Sequence, residues 1–193
     1  MSSLLPWFFQ VGGVVIATGL SIKMMDDYLD KDLDLHGNLY HFLEEGILPY
    51  ALVALALAAL ADASLSVSLF LSAYCVGMVF SPLDRLPTGL VGYQECLLVM
   101  GIQLLFIPWR RVVCSLAVLL WVQILDDVID RDIDTRVNIV HRLGFGEAVM
   151  IGGLCFFVGL YLDWMVSLWA LVFILLLNRW QPRTAGRAEL DVR

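Results

Sequence analysis

The chain has 193 residues, of which 60% are hydrophobic and only 16% charged, against the roughly 25% charged that soluble domains carry. The formal charge of −7 is not the mark of a soluble acidic protein, because ten of the nineteen acidic residues fall in two nine-residue windows, 26–34 and 126–134. No nucleotide-binding glycine loop and no nucleic-acid signature appears, so nucleic acid is not an expected partner; membrane lipids are.

The apolar residues gather into runs long enough to cross a hydrocarbon core, which takes about 20 residues as helix. A barrel would alternate polar and apolar positions, whereas LPYALVALALAALA and LWALVFILLLN are apolar on every face, as lipid-embedded helices are. The first run starts near Leu4 without a basic start or a small-residue cleavage site, and it is expected to be a span and not a removable signal. Seven spans are predicted, near 4–25, 47–61, 65–80, 89–109, 112–126, 147–162 and 164–177, with tight turns at Asp62 and Asp163. The expected architecture is an all-α, multispanning transmembrane helical bundle forming a single domain over 1–193, with 179–193 as a polar tail. Cys75, Cys96, Cys114 and Cys155 lie in or beside apolar runs with no metal-ligand spacing and read as small buried hydrophobes. Lys23, Lys31, Arg85, Arg131, Arg136, Arg142, Arg179 and the tail arginines share one side, leaving chiefly Arg110 and Arg111 on the other. The positive-inside rule then puts the aspartate-rich segments in the cytoplasm and the N terminus outside the cell membrane.

DDYLDKDLDLHGNLYHFL (26–43) aligns without gaps to DDVIDRDIDTRVNIVHRL (126–143), one hundred residues later. Eight of the eighteen positions are identical: five aspartates, Asn38 with Asn138, His41 with His141, and Leu43 with Leu143. Four spans separate the copies, so both face the same side, and two parallel repeats are expected, about 4–80 and about 112–178, joined by a helix at about 89–109. Duplicated halves with a site at their interface are a recurring membrane plan.

At about 100° per residue, Asp27, Asp30 and Asp34 fall within roughly 60° of one another, and Lys23 shares their arc. Asp127, Asp130 and Asp134 repeat the arrangement. Asp26 and Asp126 sit at the edge of each stripe, whereas Asp32 and Asp132 point away. Clustered carboxylates beside a membrane repel one another and call for a cation. Hard oxygen ligands suit Mg²⁺, which keeps waters and bridges carboxylates to phosphates, so two ions with a diphosphate between them are expected. A solvated helix end, with Lys31 and Arg131 paired to Asp27 and Asp127, is the plainer alternative. Glu44, Glu45 and Glu147 read as helix-terminus residues.

These motifs resemble those of the UbiA superfamily of intramembrane prenyltransferases, whose first motif is Asn-Asp-x-x-Asp-x-x-x-Asp and whose second is a related motif four helices later. Asp26, Asp27, Asp30 and Asp34 match the first, with aspartate in place of the leading asparagine, and Asp126, Asp127, Asp130 and Asp134 match the second. SPLDRLPTG from Ser81 resembles the loop that carries a basic residue near the diphosphate, with Arg85 in that place. The chain departs from the family in having about two helices fewer and HGNLYHFL after the first motif. The resemblance implies that Mg²⁺ on the eight aspartates binds a prenyl diphosphate, that Lys23 and Arg85 stabilise the departing diphosphate, and that an acceptor, often aromatic, takes the isoprenoid chain. Asn38, Asn138, His41, His141 and Tyr28 are candidate substrate contacts, and Tyr28, Tyr40 and Tyr93 are candidates for an aromatic wall around the cation. A terpene cyclase or prenyl diphosphatase would use the same ionisation. A small cation transporter with acidic ion-gathering clusters is the reading from another class, and a shortened scaffold protein is a third. Acceptor, chain length and oligomeric state are not legible.

Overall fold

The computed structural model describes residues 4–29, 43, 46–80, 82–83, 85–129, 140 and 143–180. Among them are six helices: α1 (Leu4–Leu29), α2 (Ile47–Phe80), α3 (Gly92–Phe106), α4 (Trp109–Ile129), α5 (Phe145–Leu162) and α6 (Trp164–Trp180). No strand forms among the described residues; an isolated bridge pairs Arg85 with Val91 in the loop before α3.

Four helical stretches are long and apolar enough to cross a membrane, Leu5–Leu29, Ile47–Val79, Trp109–Ile129 and Phe145–Leu162, and two shorter apolar helices, Gly92–Phe106 and Trp164–Leu177, accompany them. Their outer faces are apolar. Leu60, Leu105, Phe106, Phe157 and Met150 are each more than two-thirds exposed, a surface that water would drive together and that lipid solvates.

The expected spans 47–61 and 65–80 make up the 34-residue element α2 as two helices that meet at Asp62, whose backbone leaves helical geometry (φ −153°, ψ 95°). At this residue the chain folds back. Before it, α2 runs antiparallel to α1: Ile47 and Ala51 pack on Met24, Ala58 joins Val11, Val14 and Val15 in the main core, and the Gln10 side-chain amide donates to the Ala61 carbonyl at 2.8 Å. After it, Thr18 donates to Ser66 at 3.1 Å, and Leu69, Ala73 and Val76 share a cavity with Gly19, Lys23 and Asp26. The order along α1 has reversed. Asp62 Oδ1 accepts from the Leu65 N–H at 2.9 Å, capping the second half of α2 as an N-cap carboxylate does, and Arg111 Nη1 donates to both Asp62 oxygens at 2.8 and 3.0 Å.

Asp163 performs the same turn between α5 and α6, with almost the same backbone angles (φ −155°, ψ 95°). Its Oδ1 accepts from Met165 N at 3.1 Å and Val166 N at 3.3 Å. Here too the helices pair closely: a Cβ on Gly152 would lie 3.0 Å from Ile124, and one on Gly159 would lie 3.0 Å from Val118. Small residues at such contacts let backbones approach where lipid offers no hydrophobic drive between helices.

Buried positions recur along the chain. Val14, Thr18, Ser21 and Met24 of α1 are buried, and so are Cys114, Val118, Trp121 and Ile124 of α4, each one hundred residues later. Ile47, Ala51, Ala58, Leu65, Ser66 and Leu69 are matched 101 residues later by Ala148, Gly152, Gly159, Val166, Ser167 and Ala170. The expected connecting helix at 89–109 is shorter, at Gly92–Phe106. It lies on the second half of α2 through Ser72 and Gln103 (3.4 Å) and through a buried Glu95 that accepts from both Tyr74 and the loop residue Thr88.

The bundle closes where α1 meets α6. The Trp169 indole N–H donates to the Phe8 carbonyl at 3.0 Å, and the Trp169 ring occupies the space a Cβ on Gly12 would need. Gly12→Leu is therefore expected to overpack this seam and cost about 2 kcal/mol, read as a lower midpoint of thermal unfolding in detergent. Gly13→Leu, where a Cβ meets nothing within 4 Å, is expected to leave the midpoint within experimental error.

Candidate functional site

α1 and α4 both carry their apolar sequence into two consecutive aspartates in the last turn. These four carboxylates thereby reach the same end of the bundle, opposite the turns at Asp62 and Asp163. Between α1, α2, α4 and α6 lies a cavity of about 240 Å³ whose mouth carries Lys23, Asp26, Gln123 and Asp126. Its body is apolar, with Val15, Leu69, Val118, Val122, Phe173 and Ile174 among the lining residues.

Asp26 and Asp126, placed at the stripe edge by helical geometry, are the aspartates of the described motif residues that line this cavity. They are exposed, while Asp27 is buried and Asp127 half-buried. Asp27 is ion-paired with Lys23, Nζ to Oδ1 2.9 Å, one turn back along α1. At the corresponding place in α4 the Gln123 amide donates to Asp127 Oδ1 at 3.2 Å. The shared arc of Lys23 and Asp27 is thus a contact, and the plainer pairing of Asp27 with Lys31 involves a residue outside those described.

Gln123 was not a candidate on sequence grounds, since it carries no charge. The signal available was its position one hundred residues after Lys23, inside the same offset that aligns the aspartates. Gly19 and Phe173, which also line the cavity, were missed because a glycine and a phenylalanine in apolar runs do not announce each other; in the structure a Cβ on Gly19 would lie 2.6 Å from Phe173 Cε1.

Other candidates stand elsewhere. Tyr28 is half-buried and packs with Met24, Ile47 and Ala51 where α1 meets the first half of α2, and it is not among the cavity-lining residues. Tyr93 is 48% exposed at the start of α3. Arg85 is exposed in the loop before α3 and is not among the cavity-lining residues. That loop is tethered through Thr88 to Glu95. Asp30, Asp34, Asp130, Asp134, Asn38, Asn138, His41, His141 and Tyr40 lie outside the described residues. Among the described residues no three His, Cys, Asp or Glu side chains converge as a metal-binding group; the described motif residues contribute hard oxygen donors of the type Mg²⁺ takes, two from each helix end.

Comparison with family models, with curated proteins and with solved structures finds no match to this chain.

The Lys23–Asp27 pair is shielded on both sides, with side-chain exposures of 25% and 7%. Removing one partner of a buried pair costs on the order of 3 kcal/mol. Lys23→Ala is expected to lose stability on that scale, whereas Lys23→Gln, which can donate to Asp27 as Gln123 does to Asp127, should lose less than half as much. Thermal unfolding in detergent of the two variants side by side checks the ordering.

Proposed function

We propose that the chain is a Mg²⁺-dependent intramembrane prenyltransferase, which moves an isoprenoid chain from a prenyl diphosphate to an aromatic or lipid-soluble acceptor within the membrane. One observation carries the reading: a single cavity with an apolar body and a mouth where Lys23, Asp26, Gln123 and Asp126 meet. Such a cavity is complementary to an amphiphile with an anionic head. The motif resemblance to the UbiA superfamily supports the same assignment.

The architecture proposed with it is two parallel repeats, about 4–80 and about 112–178, linked through the 92–106 helix. Supporting this are the buried positions that recur at offsets of 100 and 101 and the matched turns at Asp62 and Asp163. In that arrangement α1 and α4 are equivalent, and the cavity lies between them. The aspartate end faces the cytoplasm, on the distribution of lysine and arginine.

In this mechanism the tail enters the apolar body and the diphosphate stays at the mouth. Asp26, Asp27, Asp30, Asp34 and their counterparts Asp126, Asp127, Asp130 and Asp134 would hold Mg²⁺, which supplies charge neutralisation and Lewis acidity at the diphosphate. Lys23, fixed by Asp27, presents its ammonium to the same oxygens. The bond between the allylic C1 and the diphosphate oxygen breaks, and its electron pair leaves with the diphosphate. The apolar walls exclude water from the resulting cation. The acceptor attacks C1, forming the new bond and then releasing a proton. Arg85 adds positive charge from the loop before α3, and Asn38, Asn138, His41 and His141 are assigned as polar contacts to the substrate.

Binding of prenyl diphosphates to the purified protein, with and without Mg²⁺, tests the assignment. Metal-dependent binding is expected, weakened at least about tenfold in Asp26→Asn and in Asp126→Asn, the loss of one charge-assisted contact. Folded protein that binds none of them, or binds them equally without metal in both variants, removes the transferase reading and favours a cation transporter, for which Mg²⁺ flux into vesicles is the next measurement.

A further inference from the structure

The cavity has a floor. Val15 lies two turns below Lys23 on α1, about 12 Å along the helix axis, and with Leu69 and Val118 it is nearly fully buried. Beneath these three the main core is closed by Val11, Val14, Ala58, Leu65 and Val166. Partway down, one turn below Lys23, the Phe173 ring lies against Gly19. A chain descending from the mouth therefore passes Phe173 and then stops.

The volume sets the size of that chain. A cavity of about 150 Å³ takes the six carbons of benzene, and by the same proportion the cavity of about 240 Å³, its polar mouth included, takes at most roughly ten. Resting on the transferase reading above, we infer that the cavity is a length gauge for an isoprenoid tail of roughly ten carbons, two isoprene units, with the Val15–Leu69–Val118 floor as the stop and Phe173 as the narrowing wall. The favoured donor is then a geranyl-sized allylic diphosphate. Longer tails must displace the Phe173 ring from Gly19 or leave the cavity sideways.

Two positions allow the gauge to be reset in opposite directions. Phe173→Ala deepens and widens the body. Gly77 stands at the mouth, eight residues beyond Leu69 as Lys23 is beyond Val15, whereas Ala73 lines the body one turn above Leu69, so Ala73→Leu fills space below the mouth.

The test is equilibrium binding of inorganic diphosphate and of geranyl, farnesyl and geranylgeranyl diphosphates to the whole protein in Mg²⁺, for the wild type and both variants. The wild type should bind the geranyl compound about tenfold or more tightly than the geranylgeranyl one, a discrimination of the size a methylene mismatch produces in an apolar pocket. Phe173→Ala should shift the preference towards the longer tails, and Ala73→Leu should weaken the geranyl compound while leaving inorganic diphosphate unchanged. Equal affinity for all three prenyl compounds in the wild type, or a preference that neither variant moves, overturns the gauge and leaves the transferase assignment standing. Failure of folded protein to bind any diphosphate, inorganic diphosphate included, overturns both.

Discussion

Backbone polar groups in a hydrocarbon environment must find their partners inside the protein, and the way this chain reverses direction follows from that constraint. A turn between two helices leaves the first amides of the returning helix without intrahelical acceptors. Asp62 and Asp163 answer this with one residue each: the backbone leaves the helix, and the carboxylate accepts from the first amides of the helix that follows. Neither carboxylate is cheap to place near lipid, and Asp62 is held by the Arg111 guanidinium. With both turns at one end of the bundle, the opposite end is left to the acidic ends of α1 and α4. The separation of structural carboxylates at one end from cavity-lining carboxylates at the other is thus a consequence of where the chain can turn.

Among the described residues the two acidic helix ends are held differently: Asp27 has an ammonium beside it and Asp127 an amide, so the aligned aspartates of α1 and α4 do not meet the same donor one turn back.

Much of this was legible in the sequence, but unevenly. Span identity was readable because lipid imposes apolarity on every face, and Asp62 and Asp163 stood out as isolated charges between apolar runs. The break of 47–80 at Asp62 was legible for that reason; that one capping carboxylate lets helical hydrogen bonding resume at once on the far side was not. The aspartate segments announced their kinship by identity. The spans around them did not, because packing at a helix contact constrains size and not side-chain type: Ala51 and Gly152, or Ala58 and Gly159, serve one purpose without matching. A one-residue shift of offset, from 100 to 101, further hid the agreement of Asp62 with Asp163 and Ser66 with Ser167.

The cavity itself was the least legible feature, for a physical reason. It exists because four helices fail to fill the space between α1 and α4, and that failure depends on pairs distant in sequence, such as Gly19 with Phe173. Where a large side chain already sits on a glycine, there is no room for a second one, so the ring that supports the α1–α6 contact also narrows the cavity beside it. Gly19 and Phe173, which hold the α1–α6 contact, therefore also shape the void. A substitution chosen to alter what the cavity accepts acts on the bundle's packing as well, unless it is placed, as at Gly77, where the backbone faces open space.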